Sequence, residues 1–337
     1  MRDTQTILDM MEAAGQQRAA RRRFIRMCGG AAAIAGSLSV LSGCDDDDDD
    51  DVTPTPTATA TPTPTPTATS SSAVSDVDVL NFALNLEYLE GAYYYQAAFG
   101  STIPAASLTG TGQQGTVIGG AQVNFTDTVV REFAREIAVD ELAHINFLRQ
   151  TLGTVAVAQP AINIAGDATG AFTAAARAAG VIRSDEVFNP YANDENFLIG
   201  AYLLTDVGVS AYRGSARLIT NKVFLEASAG ILATECYHDA AIRSTLYAKG
   251  LAPSDLRAKT VKISDTRDLL DGPNENDQGI IDADGNANIV PTDAGGLVLG
   301  RTAQQVLNVV YNNRASVVGG GFFPQGVNGT IRQSAAN

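Results

Sequence analysis

The chain has 337 residues, 45% of them hydrophobic, with 37 acidic side chains against 23 basic ones and a formal net charge of -14. That apolar share supports a globular body with a sizeable core, while the acidic excess excludes nucleic acid as a partner, because binding phosphates needs concentrated lysine and arginine. Three cysteines, Cys28, Cys44 and Cys236, are too few and too scattered for a disulfide framework.

The first 75 residues are not core material. A basic stretch, RAARRRFIRM at 18–27, runs into CGGAAAIAGSLSVLSG, which is too short and small-sided for a stable membrane-spanning helix. Arg21 and Arg22, followed by Arg23, Phe24 and Ile25, resemble a twin-arginine export signal, and LSGC at 41–44 resembles a lipoprotein cleavage site with Cys44 as the lipidated residue. Residues 1–43 are therefore expected to be a signal. Seven aspartates at 45–51 repel one another and the threonine-proline repeat through residue 69 blocks helix and sheet, so 44–75 reads as an extended tether. The expectation is an exported protein anchored to a membrane by lipid on Cys44, on the extracytoplasmic side. Cys236 then remains alone in the body, as a small filler.

From residue 76 the patterning is helical, and 76–250 is read as one bundle. DVDVLNFALNLEYLEGAYYYQAAF, 76–99, is apolar around most of its circumference and so needs to be enclosed by other helices; Asp76 or Asp78 could cap it. A second helix is expected over about 124–152, capped by Thr126 or Asp127 and stopped by Gly153, then a short one near 171–179. A third long helix should begin after Asn193 or Asp194 and run to about 213, and a fourth should cover about 221–248. Residues 251–337 are rich in glycine, asparagine and aspartate, with one helical candidate at 302–313, and read as an extension laid on the bundle, with Phe322 and Phe323 against it. DADGNAN, 282–288, departs from a calcium loop, having Ala287 at the sharp turn and no closing glutamate.

Only two histidines exist, and each stands three residues after a glutamate: Glu141 with His144, and Glu235 with His238. In both helices the pair occupies the packing stripe, Ile137–Glu141–His144–Leu148 and Ile231–Glu235–His238–Ile242. Burying such groups is costly unless something satisfies them. Two facing helices that each project a carboxylate and an imidazole can hold a pair of transition ions. The first helix offers Glu87 or Glu90, with Glu87 on the favoured stripe. The third offers only Asp206 as an acid, although Thr205 lies at the centre of its stripe. Asp140 and Asp239 read as solvent-facing or orienting groups, and Tyr94, Tyr202, Tyr212 and Tyr237 as packing residues or hydrogen-bond donors near the site.

FALNLEYLEGAYYYQAA, EIAVDELAHINFLRQTLG, VGVSAYRGSA and AGILATECYHDAAIRS together resemble the exported ferritin-like domain family, whose relatives include desiccation-related proteins. The resemblance spans roughly 76–250, and GRTAQQVLNVVYN and GGFFPQGVNG resemble the tail of its longer members. It implies an all-α fold, a ferritin-like four-helix bundle with long loops and a glycine-rich C-terminal extension. It also implies a site for two iron ions, or manganese, with carboxylate ligands Glu87, Glu141 and Glu235, imidazole ligands His144 and His238, and Asp206 in place of the usual third-helix glutamate. Ferroxidase or oxygen- and peroxide-reducing activity follows if both metals bind; a non-catalytic envelope or stress-protective protein with a degenerate site is the alternative. The partners expected are a membrane and a second copy of the chain in a homodimer.

Overall fold

The computed structural model describes residues 74–252 and 254–337, so the expected signal, the expected lipidation site Cys44 and nearly all of the expected tether lie outside the described residues. Ser75 starts helix α1 (Asp76–Phe99) through a capping box with Asp78, and Gly100 closes it in the left-handed conformation. Asp76, expected as a cap, instead accepts from the Thr220 and Asn221 amides. Asp127 caps α2 (Thr128–Leu152), and Asn193 and Asn221 cap α4 (Asp194–Ser215) and α5 (Lys222–Lys249). A short α3 (Ala171–Ala178) lies between α2 and α4.

The long helices form two hairpins, α1 on α2 and α4 on α5. Their directions follow from contacts. Asn81 meets Val155 just past the end of α2 while Gly91 lies against Glu141, and Glu141 meets His238 while Asp127 meets Lys249, so α2 runs antiparallel to both α1 and α5. Tyr94 meets Thr205 and Glu87 meets Tyr212, so α4 too is antiparallel to α1. Since α2 and α4 point the same way, the connection at 153–193 must travel back along the bundle. One long crossover of this kind is the topology of ferritin-like bundles.

The crossover explains why α1 is apolar all round. Its outer side is covered rather than solvated: Asn81 bonds the backbone of Val155 and Val157, and Asn85 exchanges two hydrogen bonds with the backbone of Asn328 in the C-terminal tail. The crossover also pairs β2 (Ile162–Ile164) in parallel with β1 (Val117–Gly119) from the α1–α2 loop. In contrast, α2 and α5 keep a solvent face, with Phe147 44% and Tyr237 78% exposed. Among the described residues no helix is long and apolar enough to cross a membrane.

After α5 come α6 (Leu256–Asp271) and α7 (Ala303–Val310). The first of these is a correction, since only the second was expected. Phe322 and Phe323 are buried, and Phe322 packs edge-on against Phe172 of α3 at 5.0 Å. In DADGNAN, Asp282 Oδ1 accepts from the Asp284 and Asn286 amides, which makes the segment a tight turn; Asp293 forms a similar one with Gly295 and Leu297.

Candidate metal centre

Five of the residues singled out by spacing converge between the helices. One ligand atom from each of Glu87, Glu141, His144 and Glu235 lies within 4.8 Å of the others, and all four residues are buried. His144 Nδ1 stands 3.2 Å from Glu87 Oε2, 3.3 Å from Glu235 Oε1 and 3.7 Å from Glu141 Oε2. His238 Nδ1 stands 3.3 Å from Glu141 Oε1 and 3.9 Å from Glu235 Oε2. Glu141 and Glu235 thus each turn one oxygen to one histidine and the second oxygen to the other. The ring centroids are 6.2 Å apart, with two carboxylates between them. This follows from helix geometry: i and i+3 side chains share a face, and antiparallel α2 and α5 bring two such faces together in opposite sense.

Glu90, the less favoured of the two α1 glutamates, belongs to the same nest. It is 5% exposed, and its Oε2 accepts from Thr205 Oγ1 at 3.4 Å. Its Oε1 lies against Gly208 of α4, close to Glu235 Oε2, the oxygen turned toward His238. Glu90 is thus a fourth carboxylate of the nest, near enough to feel the charges of Glu235, Glu141, Glu87 and His144. The signal that could have found Glu90 was present, since Glu87 and Glu90 repeat the i, i+3 spacing of the other pairs.

Asp206, expected as the third-helix arm, lies elsewhere. Its two oxygens bond Arg243 Nη1 at 3.0 Å and Arg267 Nη2 at 2.7 Å, facing α6 and the C-terminal extension. One position on a helix turns a side chain by about 100 degrees, so Thr205 faces the nest and Asp206 does not. Asp239 is buried beside Asp206, while Asp140 accepts from His238 Nε2 at 3.3 Å and so orients that ring. Tyr212 donates to Glu87 Oε1, and Tyr94 bonds Thr205, which bonds Glu90. The Arg243 and Arg267 guanidiniums both lie over the Tyr202 ring, and Tyr237 faces solvent. Cys236 is only half-buried, and burial pushes its thiol up to about 11.

The electrostatics show how strongly the carboxylates of the nest act on one another. Burial, reinforced by the Glu235 charge, pushes Glu141 up to about 7. Burial and the charges of Glu235, Glu141 and Glu87 drive Glu90 well above the carboxylate range. Burial would raise Glu87 too, but the His144 charge and hydrogen bonds outweigh it and hold Glu87 low. Burial opposes charge on His238, yet its hydrogen bond to Asp140 and the nearby Glu141 and Glu235 carboxylates bring it up to about 10. A cation among these carboxylates would relieve the repulsion that raises Glu90 and Glu141. Both oxygens of Glu141, both of Glu235 and Nδ1 of His238 have no hydrogen-bond partner although buried, a condition that costs about 1–3 kcal/mol per group. Four carboxylates and two neutral imidazoles would balance two divalent cations, and mixed oxygen and nitrogen donors suit iron or manganese. The residues fit the group.

A family model for the ferritin-like domain matches residues 75–248. The chain is 26% identical over 269 residues to the ferritin-like catalase Nec2 of Nesocodon mauritianus, covering 76% of this chain and 85% of that protein. It is 28% identical over 245 residues to the desiccation-related protein PCC13-62 of Craterostigma plantagineum, covering 69% of this chain and 76% of the relative. With a crossover bundle, a buried carboxylate and histidine nest and a family match over more than half its length, the chain belongs to the ferritin-like domain family.

Proposed function

We propose that this protein holds two iron or manganese ions between Glu87, Glu90, Glu141, His144, Glu235 and His238 and disproportionates hydrogen peroxide. The observation that carries the reading is the set of buried, unpartnered oxygens on Glu141 and Glu235, each carboxylate shared between two histidines. A second support is the likeness to a protein named as a catalase. The bound pair supplies reversible two-electron redox chemistry, so that 2 H2O2 give 2 H2O and O2 with no outside reductant.

The chain's own residues set the conditions. Asp140 fixes the His238 ring so that Nδ1 faces inward, and Tyr212 holds Glu87 by its Oε1. Thr205 donates to Glu90 Oε2 and Tyr94 bonds Thr205, so α1 and α4 together hold this carboxylate in place. The surrounding helices exclude bulk water, which strengthens every one of these interactions.

Purified full-length protein, loaded with iron or manganese, is expected to bind roughly two ions per chain by elemental analysis and to evolve oxygen from peroxide. Glu141→Ala together with Glu235→Ala should remove both properties. Full metal content in that double variant would refute the site, and full metal content without oxygen evolution in the parent would refute the reaction. The N-terminal signals support a further proposal, that the loaded protein works outside the cytoplasm on a lipid tether; intact mass of the native protein, showing whether Met1 persists, decides it.

A further inference from the structure

The solvent side of α5 is unlike the rest of this acidic chain. From residue 227 to residue 248, about six turns, the only charge-bearing side chains are Glu235, His238, Asp239 and Arg243, and all four are buried. A surface helix ordinarily carries its charges on the side facing water. Here they point inward, and the outward face is Ala229, Gly230, Ala233, Tyr237, Ser244 and Ala248. Tyr237 is 78% exposed and Val223, one row along, 69%; on the neighbouring α2, Val139 is 40% and Phe147 44% exposed. We propose that this face docks a second copy of the chain, with α5 packing antiparallel on α5 of the other copy about a two-fold axis close to Ala233.

Shape is the first reason. Gly230 and Tyr237 stand seven residues apart, two turns on the same row of α5 and a rise of about 10 Å. One is a hole and the other a knob. Tyr237 is the most exposed large apolar side chain of the described residues, whereas a Cβ on Gly230 would meet nothing within 4 Å. Among the described residues nothing calls for a glycine there, and inside a helix glycine is less favourable than alanine. A two-fold axis midway between them lays each Tyr237 ring on Gly230 of the other copy, the self-complementary fit that an isologous interface requires.

Charge is the second. Two chains of net charge -14 repel, so a face that joins them must bring no like charges together. The same axis sets Lys222 and Glu226, the exposed charges of the first turns of α5, opposite Thr245 and Ala241 of the other copy. Neither meets its own sign. A membrane surface fits this face less well, because helices lying on lipid use a rim of lysine and arginine, and 227–248 exposes neither.

Area is the third. Tyr237 and Phe147 leave about 250 Å² of aromatic surface open. With Val139, Val223 and the exposed alanines the apolar patch reaches roughly 500 Å², near the top of what a typical monomer leaves uncovered. Paired with itself it buries roughly 1,000 Å², the size at which specific interfaces begin. Glu235 and His238 lie on the opposite side of α5, so each copy keeps its own complete nest, and the inference stands whatever metal or reaction that nest supports.

Sedimentation velocity of the metal-free full-length protein at micromolar concentration should give the mass of two chains. Gly230→Glu places two carboxylates in the joint and should weaken association about 100-fold or more; the position is open within one chain, so the far-ultraviolet circular dichroism should not change. If Gly230→Glu does not fold, Tyr237→Ala removes the knob from a side chain already in water and should weaken association about tenfold or more. A parent that sediments as one chain overturns the proposal, whether it stays free or floats with phosphatidylcholine vesicles, the second result assigning the face to a membrane. A two-chain parent whose association neither substitution weakens overturns it as well, since another surface would then join the copies.

Discussion

Burial raises both Asp206 and Glu141, and their neighbours decide the outcome. Glu141 has acids around it and sits at about 7, whereas Asp206 has the Arg243 and Arg267 guanidiniums and is held down at about 2. Asp206 thus stabilises the fold as an anion. Its folded pKa lies below the ordinary 3.8, so the contribution is present in full above pH 4 and is lost as pH falls from 4 through 2. The shift corresponds to about 2 kcal/mol. Asp206→Asn leaves the buried Arg243 guanidinium without its counter-charge and Arg267 with Asp277 alone, and should cost about 3–5 kcal/mol at neutral pH, with a flatter loss of stability between pH 4 and 2 than the parent shows. Metal content should not change, because Asp206 is no part of the nest; chemical denaturation across pH and elemental analysis check the two halves. Sequence favoured Asp206 because it is the only acid in the central part of α4. The spacing that put Thr205 on the stripe instead was legible, but nothing in α4 alone announces that α1 supplies two glutamates.

At the scale of the element, the histidine-bearing helices were the most readable because a polar pair interrupting a regular apolar stripe identifies its own facing direction. α1 gives no such direction, being buried almost all round, so its stripe favoured Glu87 although Glu90 lies in the same nest. α6 was invisible for the opposite reason. Its buried side carries Ser264 and three polar groups, Thr260, Arg267 and Asp271, whose partners Ile280, Asp206, Asp277 and Arg301 lie outside the helix. Gly208 shows how closely the elements are matched. A Cβ there would collide with Glu90 Oε1 and reach Glu235 Oε2 at 3.5 Å. Gly208→Ala favours the helix by about 1 kcal/mol, yet it should displace Glu90 and lower affinity for the second ion roughly tenfold or more. Titration with Mn²⁺ followed by equilibrium dialysis should show one site intact and one weakened; two unaffected sites would remove Glu90 from the ligand set.

For the whole molecule, the decisive join is ionic and buried. From α4 and α5 outward, Asp206 meets Arg243 and Arg267, Arg267 meets Asp277, and Arg301 meets both Asp277 and Asp271, all almost completely enclosed. Three arginines answer three aspartates, and Asp239, raised well above its ordinary range by burial and by Asp206, adds a carboxyl that need not be charged. The backbone makes the same join, with Arg301 N–H donating to Ser210 O and the Arg301 carbonyl packed on Gly214, where any side chain would clash. Such a network stabilises little relative to a well-packed apolar core, but losing one member is expensive and makes the whole arrangement specific. Arg301→Ala should therefore destabilise the protein by about 3–5 kcal/mol, and hydrogen exchange should quicken together in α6, in 272–302 and around Ser210 while the amides flanking Glu141 stay protected. Because the pairs are dry, raising ionic strength should not mimic the substitution. Fast exchange confined to 301–303, with α6 unchanged, would mean that the extension is held by its apolar contacts and that the charges merely follow.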